Sequence, residues 1–338
     1  MSLREFDLIN TLLRPLAGDP AARGLLSDTA VLASNGADLV LTKDMMAEGV
    51  HFLPDDPPES IGWRLVAVNA SDLAATGAVP RACLLGLGLG RTRSRDWVEQ
   101  FLDGLRRACT AFGLPLIGGD TICPGDTTVL SLTAIGSVST GRAMARTGAQ
   151  PGDTLWVSGT IGDAGAGLAL AQSPDFSSDS SPEAACLRDR YWWPQPRLAL
   201  GLALCDLASA AADVSDGLLA DAGHIASASG VAAEVEAAAI PLSPAYVSHC
   251  GDTLATRVRA ATAGDDYELV FTAPAHAATA ILALSQRLGL TLTPIGRVSA
   301  GSGVRLLDAE GADVPVERTG FEHHYVESTT ESTRQGED

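Results

Sequence analysis

Apolar positions recur along this chain at two spacings, and the switches between them mark out its elements. Leu3, Phe6, Ile9, Leu12, Leu13 and Leu16 fall at helical spacing and predict an amphipathic helix over 3–16, ended by the turn at Gly18-Asp19-Pro20. Short strands over 27–32 and 39–42, joined by the turn Ser34-Asn35-Gly36-Ala37-Asp38, predict a hairpin with Asp28 and Asp44 at its outer ends. Helical periods follow over 59–77 and 94–112, the second with Trp97, Phe101, Leu102 and Leu105 turned inward, and strands are expected over 82–89, 115–117 and 127–138. Turn residues crowd 141–153, and the domain boundary is placed there. Beyond it the pattern predicts strands at 154–159, 232–235 and 293–298 and helices from 162, over 198–209, on to about 229 and over 275–288. A Ser/Asp/Pro segment at 173–182 has no apolar period and is expected to be a mobile surface loop. Strands and helices mix in both halves, which predicts an α/β (α+β) fold of two domains, 1–140 and 141–326, with a polar, disordered tail at 327–338.

The strand ending at Thr42 delivers Asp44 and then, seven residues on, His51, as if to a loop where a rigid strand presents binding groups. The helix over 59–77 carries Asn69 and Asp72 on its apolar face, where polar groups cost stability unless partners offset the loss of water. Asp28, Asp44, Asp72, Asp120, Asp213 and Asp216 all stand beside small or apolar residues at element ends. One such Asp is explained by a helix cap or an Asx turn, and Asp126 and Asp153, beside turn glycines, are read that way. Six together repel one another and need cations. Oxygen donors without histidine or thiolate neighbours suit Mg2+, which shares its remaining positions with substrate phosphates. Gly118-Gly119-Asp120 adds glycines that admit a ligand close to the backbone. The expected chemistry is phosphate handling, with several Mg2+ ions in place of basic side chains. The glycine run from Gly159 to Gly167 lacks the acidic residue of a dinucleotide fingerprint at its proper distance, so close packing of a helix on a sheet is the better reading.

Composition narrows the picture further. The formal charge of −18 disfavours nucleic acid and anionic membranes as partners. Lys43 is the one lysine among 23 Lys and Arg side chains, and its context matches neither a P-loop nor a protein kinase. The six cysteines form no C-x-x-C pair and read as buried free thiols. No basic-then-apolar leader opens the chain, and the most apolar segment, 65–90, is interrupted by Asp72 and Arg81, so a soluble cytoplasmic protein is expected.

Seven motifs in fixed order carry a resemblance over nearly the whole chain, from Glu5-Phe6 to His323. They are Asp28 to Leu32, Asp44 to Phe52, Asn69 to Pro80, Gly118 to Thr121, Gly141 to Arg146, Asp213 to Leu218 and Gly264 to Leu269. The sequence resembles the thiamine-monophosphate kinase family, of the superfamily that holds aminoimidazole ribonucleotide synthetase and selenophosphate synthetase. The resemblance implies transfer of the γ-phosphoryl group of ATP to thiamine monophosphate, giving thiamine diphosphate. It also implies a homodimer whose N-terminal sheets pair into a shared barrel, with the site in the cleft against the C-terminal domain. Carried over, Asp28, Thr42, Lys43, Asp44, Asp72, Asp120, Asp213 and Asp216 are the implied metal positions. Gly119, Asp120, Arg146 and Ser215 are implied ATP contacts, and His51, Asp265 and Phe321 implied contacts on the thiamine side. The acceptor is already an ionised phosphate, so direct in-line displacement needs no covalent nucleophile and no strong base. Three positions depart from the family pattern: Ser27 for the usual Asp, Lys43 for Thr or Ser, and Asp265 for Glu. The Lys43 ammonium is expected either to reach the phosphates or to turn to solvent and leave its carbonyl to the site. An aminoimidazole ribonucleotide synthetase-like enzyme and a non-catalytic nucleotide-binding homologue stand as alternatives.

Overall fold

Two sheets organise the chain, whose computed structural model describes residues 3, 4, 10, 14, 20–33, 36–173 and 181–325. Of the predicted helix over 3–16, Leu3–Arg4 instead forms a short strand, β1, and most of the remainder lies outside the described residues, as do 174–180 of the expected mobile loop and the tail. The N-terminal half holds β2 (Ala30–Leu32), β3 (Asp38–Ala47), α1 (Pro58–Thr76), β4 (Val79–Gly88), α2 (Arg95–Phe112), β5 (Leu116–Ile122) and β6 (Val129–Val138), with strand order β2-β3-β6-β4-β5. The C-terminal half holds β7 (Thr154–Ser158), α3 (Asp163–Ala171), α4 (Pro182–Trp192), α5 (Leu198–Leu204), β8 (Ala210–Asp213), α6 (Leu218–Ser229), β9 (Ala232–Glu236), α7 (Pro244–Cys250), α8 (Leu254–Thr262), β10 (Leu269–Ala273), α9 (Ala278–Leu288), β11 (Leu292–Ser299) and β12 (Gly303–Leu307). Its sheet runs β12-β9-β11-β7-β10-β8, and β13 (His324–Tyr325) returns to pair with β1.

Strand β3 runs further than the sequence predicts, because its ladder with β6, the central strand, continues from Asp38↔Val138 to Ala47↔Val129. Asp44 therefore stands on a strand and not on a loop beyond one. Alternation then sorts the side chains: Val40, Thr42 and Met46 are buried, whereas Leu39, Lys43 and Met45 are exposed on the other face. Strand β5 likewise continues through Gly118, Gly119 and Asp120 to Ile122, all of it exposed.

Helices α1 and α2 cover the inner face of this sheet at very close approach. A Cβ on Gly62 would meet the Phe101 carbonyl oxygen at 2.1 Å, and one on Gly104 would meet that of Glu59 at 1.8 Å. The approach turns Phe101, Leu105 and Ala108 inward, but Leu102, expected inward, is 39% exposed on the outer flank. A separate apolar cluster joins the two halves: Ala74 and Ala75 of α1 pack with Met144, Leu200, Leu204, Trp156 and Phe271. Here too a glycine permits the contact, since a Cβ on Gly201 would lie 2.0 Å from the Ala74 carbonyl oxygen.

Several expectations change. Helix α5 stops at Leu204, and the alanine-rich β8 that follows is a buried strand in spite of its helical propensity, because it pairs with β10. Helix α4 went unread, although Ser181 caps it and Pro182 opens it. Among the cysteines only Cys83 and Cys109 are buried, while Cys123 and Cys186 are exposed, since neither of the latter falls on a core-facing position. The glycines of 159–167 do serve packing: added Cβ atoms at Gly162, Gly165 and Gly167 would meet Ala260, Ala263 and the Leu187 carbonyl at 2.5, 2.4 and 2.1 Å.

The close crossing of α1 and α2 makes a direct prediction. Gly104→Ala should lower the free energy of unfolding by about 2 kcal/mol, the cost of forcing a methyl into a filled interface. A urea titration reads it, and an unchanged midpoint would contradict the crossing as described.

Candidate active site

Four carboxylates converge where the two halves meet. Asp44 comes from β3, Asp72 from α1, Asp213 from the end of β8, and Asp28 from the residues preceding β2, which is set opposite β3 by the pairing Ala30↔Leu41. One oxygen each from Asp28, Asp72 and Asp213 lie within 4.8 Å of one another. Thr42 joins them, its hydroxyl donating to Asp72 Oδ2 and lying 3.4 Å from the Asp28 carbonyl oxygen. Asn69, buried on α1, accepts the Asp44 backbone N–H at 3.1 Å and donates to the Leu65 carbonyl at 2.9 Å, so its burial is spent on fixing Asp44.

The electrostatics of this group are lopsided. Arg146 pairs with Asp28, and although burial opposes its charge, Asp28, Asp221 and Asp213 hold its pKa above the usual guanidinium value. Burial, then the neighbouring Asp28, pushes the Asp44 carboxyl up to about 6. Burial and Asp28 push Asp213 to about 8, against opposition from Ser71 and Arg146. Asp72 is raised well above the carboxylate range by burial, followed by Asp44, Asp213 and Asp28. Acids held this way near neutral pH take up protons or cations. The donors are oxygens alone, four carboxylates and the Thr42 hydroxyl, and this set fits Mg2+.

Asp216 belongs to a neighbouring group with Asp221 and His224, their ligand atoms within 4.8 Å. Asp221 Oδ2 accepts the backbone N–H groups of Ser215, Asp216 and Gly217 at 3.0, 3.2 and 3.2 Å, which folds this loop and presents Ser215 and Asp216. Asp44, Asp72, Asp213, Ser215 and Asp216 line one end of a cavity of about 580 Å3. His51, Asp265, Tyr267, Phe321 and His323 line the same cavity.

The wall made by this second set is tied together by Arg64. Fully buried on α1, Arg64 donates to the carbonyls of Tyr191 (2.9 Å) and His51 (3.2 Å) and to Asp265 Oδ1 (3.1 Å). Asp265 and Tyr267 adopt positive φ, 70° and 50°, a conformation unfavourable for side chains of this size. Their alternating neighbours hold them there. Asp266 accepts the N–H groups of Gly162 and Ala164 at 2.7 and 3.2 Å, and the buried Glu268 is bound by Ser158 (2.6 Å), Arg190 (3.0 Å) and Arg197. Phe321 is fixed by its N–H to the Asp216 carbonyl at 2.9 Å, which links the two ends of the cavity.

Lys43 also lines this cavity, whereas Gly119 and Asp120 are not among its lining residues. The Lys43 ammonium bonds Ser131 Oγ at 2.6 Å, on the sheet face away from Asp44, because odd and even residues of β3 point oppositely. Asp120 is exposed on the edge strand β5, its register matching Gly86 and Ser131, hence on that same outer face. With β6 and β4 between β5 and β3, it stands about 14 Å from β3. Gly119 is explained by packing, since a Cβ there would meet the Leu85 carbonyl oxygen at 2.0 Å. Arg64, Tyr267 and His323 went unread in the sequence. Arg64 carried the signal that singled out Asp72, a charge on an apolar helix face, whereas His323 had none.

Comparison with known proteins bears on this geometry. Residues 26–138 match the AIR synthase related protein N-terminal domain, and residues 150–309 match the AIR synthase related protein C-terminal domain. The thiamine-monophosphate kinase of Caulobacter vibrioides is 42% identical over 94% of this chain and 90% of that protein. That of Salmonella typhimurium is 40% identical over 84% of this chain and 86% of its own length. A crystal structure of thiamine-monophosphate kinase from Stenotrophomonas maltophilia K279a superposes with a TM-score of 0.76 at 41% identity, covering 93% of this chain and 99% of that one. A structure described as AaThiL complexed with AMPPCP and TMP superposes at 0.82 with 34% identity, covering 95% and 97%. With relatives this similar over nearly its full length, the chain belongs to the thiamine-monophosphate kinase family.

Proposed function

We propose that this protein phosphorylates thiamine monophosphate to thiamine diphosphate, using ATP as phosphoryl donor and several Mg2+ ions. One observation carries the reading: a partly buried, under-neutralised carboxylate group opens into the same cavity as the His51, Asp265 and Phe321 wall. The carboxylate end suits metal-bound phosphates, and the aromatic end suits the organic part of the acceptor. Asp28, Thr42, Asp44, Asp72, Asp213 and Asp216 would hold the ions, with Lys43 offering its backbone carbonyl and not its ammonium. Bound Mg2+ would supply charge neutralisation on the phosphates and a template for their alignment. The chain's own part is positioning. Asn69 fixes Asp44, Asp221 folds the loop that offers Ser215 to ATP, and Arg64 sets His51 and Asp265 for the thiamine side. Arg146, bound to Asp28, would exchange that carboxylate for a nucleotide phosphate. Direct in-line transfer follows from an acceptor that is already ionised, so no side chain serves as nucleophile.

The open face of the N-terminal sheet supports the dimeric part of the proposal. Met45 and Leu84 are 55% and 38% exposed there, beside Leu39, Val79 and Ile122, a patch of the kind that a second subunit covers. Residues 1–140 are then the metal-binding, ATP-binding and dimerisation domain, and 141–326 complete the cleft. Gly119 and Asp120 lie toward this face, so pairing of two sheets into a barrel is what would bring them to nucleotide. Among the described residues no helix is long and apolar enough to cross a membrane.

Incubating the purified protein with ATP, Mg2+ and thiamine monophosphate should yield thiamine diphosphate. ATP binding without product would favour a non-catalytic homologue instead. Asp44→Asn should reduce kcat by 100-fold or more, on the order of a lost electrostatic contact to a transferring group, with the circular dichroism spectrum retained. A variant that unfolds would make Asp44 structural. Leu84→Glu should halve the mass measured by light scattering, and a mass that stays unchanged would remove the open face from the interface.

A further inference from the structure

His51 and His323 meet in the cavity wall, Nε2 to Nε2 at 3.3 Å, with ring centroids 5.0 Å apart. The Ala47 backbone N–H donates to His51 Nδ1 at 3.1 Å, so that nitrogen carries no proton. A neutral imidazole has one N–H, which for His51 must then be on Nε2, pointing at His323. His323 Nε2 is left as the acceptor. Both nitrogens of His51 are thus taken by protein, one by the end of β3 and one by the C-terminal segment. What His51 offers the cavity is the face of its ring.

The rest of this wall is of the same kind. Phe321 stands edge-on to His323, centroids 4.9 Å apart at 89°, and Tyr267 lines the same space. His51 is kept neutral by burial, then by His323, with Arg64 acting in the same direction and Asp265 against it. Neutral π faces gathered in one wall attract a cation whose charge is spread over a ring and which no single carboxylate can approach closely. The thiazolium of a thiamine phosphate is a cation of this type, with its nitrogen fully alkylated.

We infer that His323 is a positioning residue for the acceptor site: it consumes the one donor of His51 and sets that ring, with Phe321, as a neutral aromatic face against the thiazolium. This inference rests on the proposed acceptor, and goes beyond it in assigning recognition of the cationic ring to π contact and the control of His51 to the C-terminal segment.

Three proteins test it: wild type, His323→Leu, which removes the acceptor, and His323→Gln, whose Oε1 can replace imidazole Nε2 as acceptor. With 15N-labelled histidine, wild type and His323→Gln should show a slowly exchanging proton on His51 Nε2, and His323→Leu should lose it. Steady-state assays should give KM for thiamine monophosphate raised about tenfold in His323→Leu, the loss of one part-buried hydrogen bond, with kcat within about twofold and KM largely restored in His323→Gln. In calorimetry, wild type should bind thiamine monophosphate about tenfold more tightly than its uncharged thiophene analogue, deazathiamine monophosphate, and His323→Leu should narrow that gap. A proton on His51 Nδ1, an unaltered KM in His323→Leu, or equal affinity of wild type for the two ligands would each overturn the inference. Absence of any turnover or binding in wild type would instead sink the proposed acceptor, and the imidazole spectrum would still judge the histidine pair.

Discussion

Four acids drawn together, with Arg146 paired to one of them, Asp28, set the terms for everything else in this molecule. Asp28, Asp44, Asp72 and Asp213 are drawn together, with Arg146 as the cation bound into the group among the described residues. Such a cluster forms only if other contacts hold its members against their mutual repulsion and the loss of water. Those contacts are found in the packing between the two halves. Ala74 and Ala75 of α1 abut α5 through Gly201, which fixes the helix that carries Asp72 against the sheet that carries Asp213. The close crossing of α1 and α2 at Gly62 and Gly104 holds the same helix from its other side.

The other end of the cavity depends on the same frame. Arg64 lies on α1 eight residues before Asp72 and reaches the His51 carbonyl, the Tyr191 carbonyl and Asp265. One rigid helix therefore sets the separation between the acidic end and the aromatic end. Phosphoryl transfer between two bound phosphates relies on such fixed spacing, because its barrier falls mainly through alignment and neutralised charge. The positive-φ residues Asp265 and Tyr267 show where the fold accepts local strain to complete the wall, secured by Asp266 between them and Glu268 after them.

Much of this was legible in the residues, and the failures have physical causes. Polar groups on the apolar face of 59–77 pointed to the site, since burial of Asn69 and Asp72 needed a reason that capping did not supply. The hairpin reading brought Asp28 toward Asp44 correctly. What local pattern could not give was the face on which a side chain falls. Asp44 was expected on a loop because Lys43-Asp44 interrupts an apolar run, yet the ladder to β6 carries the strand past it and sends Lys43 to the opposite side. Asp120 is grouped with the other acids by its place at an element end beside glycines, and within one chain sheet order separates it from them. Arg64 and His323 draw their roles from contacts over distances of 201 and 272 residues in sequence, to Asp265 and His51, which no periodicity reports.

The central claim is that cations stabilise the carboxylate group, and thermal unfolding against pH with and without Mg2+ tests it most directly. Asp213 is raised to about 8 and Asp72 well above its usual range, so their ionised forms are disfavoured in the folded protein. Stability contributed by groups raised in this way is lost as pH rises through the folded value and regained as pH falls. In chelator, the midpoint should therefore increase as pH falls from 8.5 to 7, a window in which His224, lowered to about 4, stays neutral. Added Mg2+ should raise the midpoint, and more at pH 8.5 than at 7, because it binds the ionised form. A chelated midpoint that climbs with pH over this range, together with indifference to Mg2+, would contradict the account.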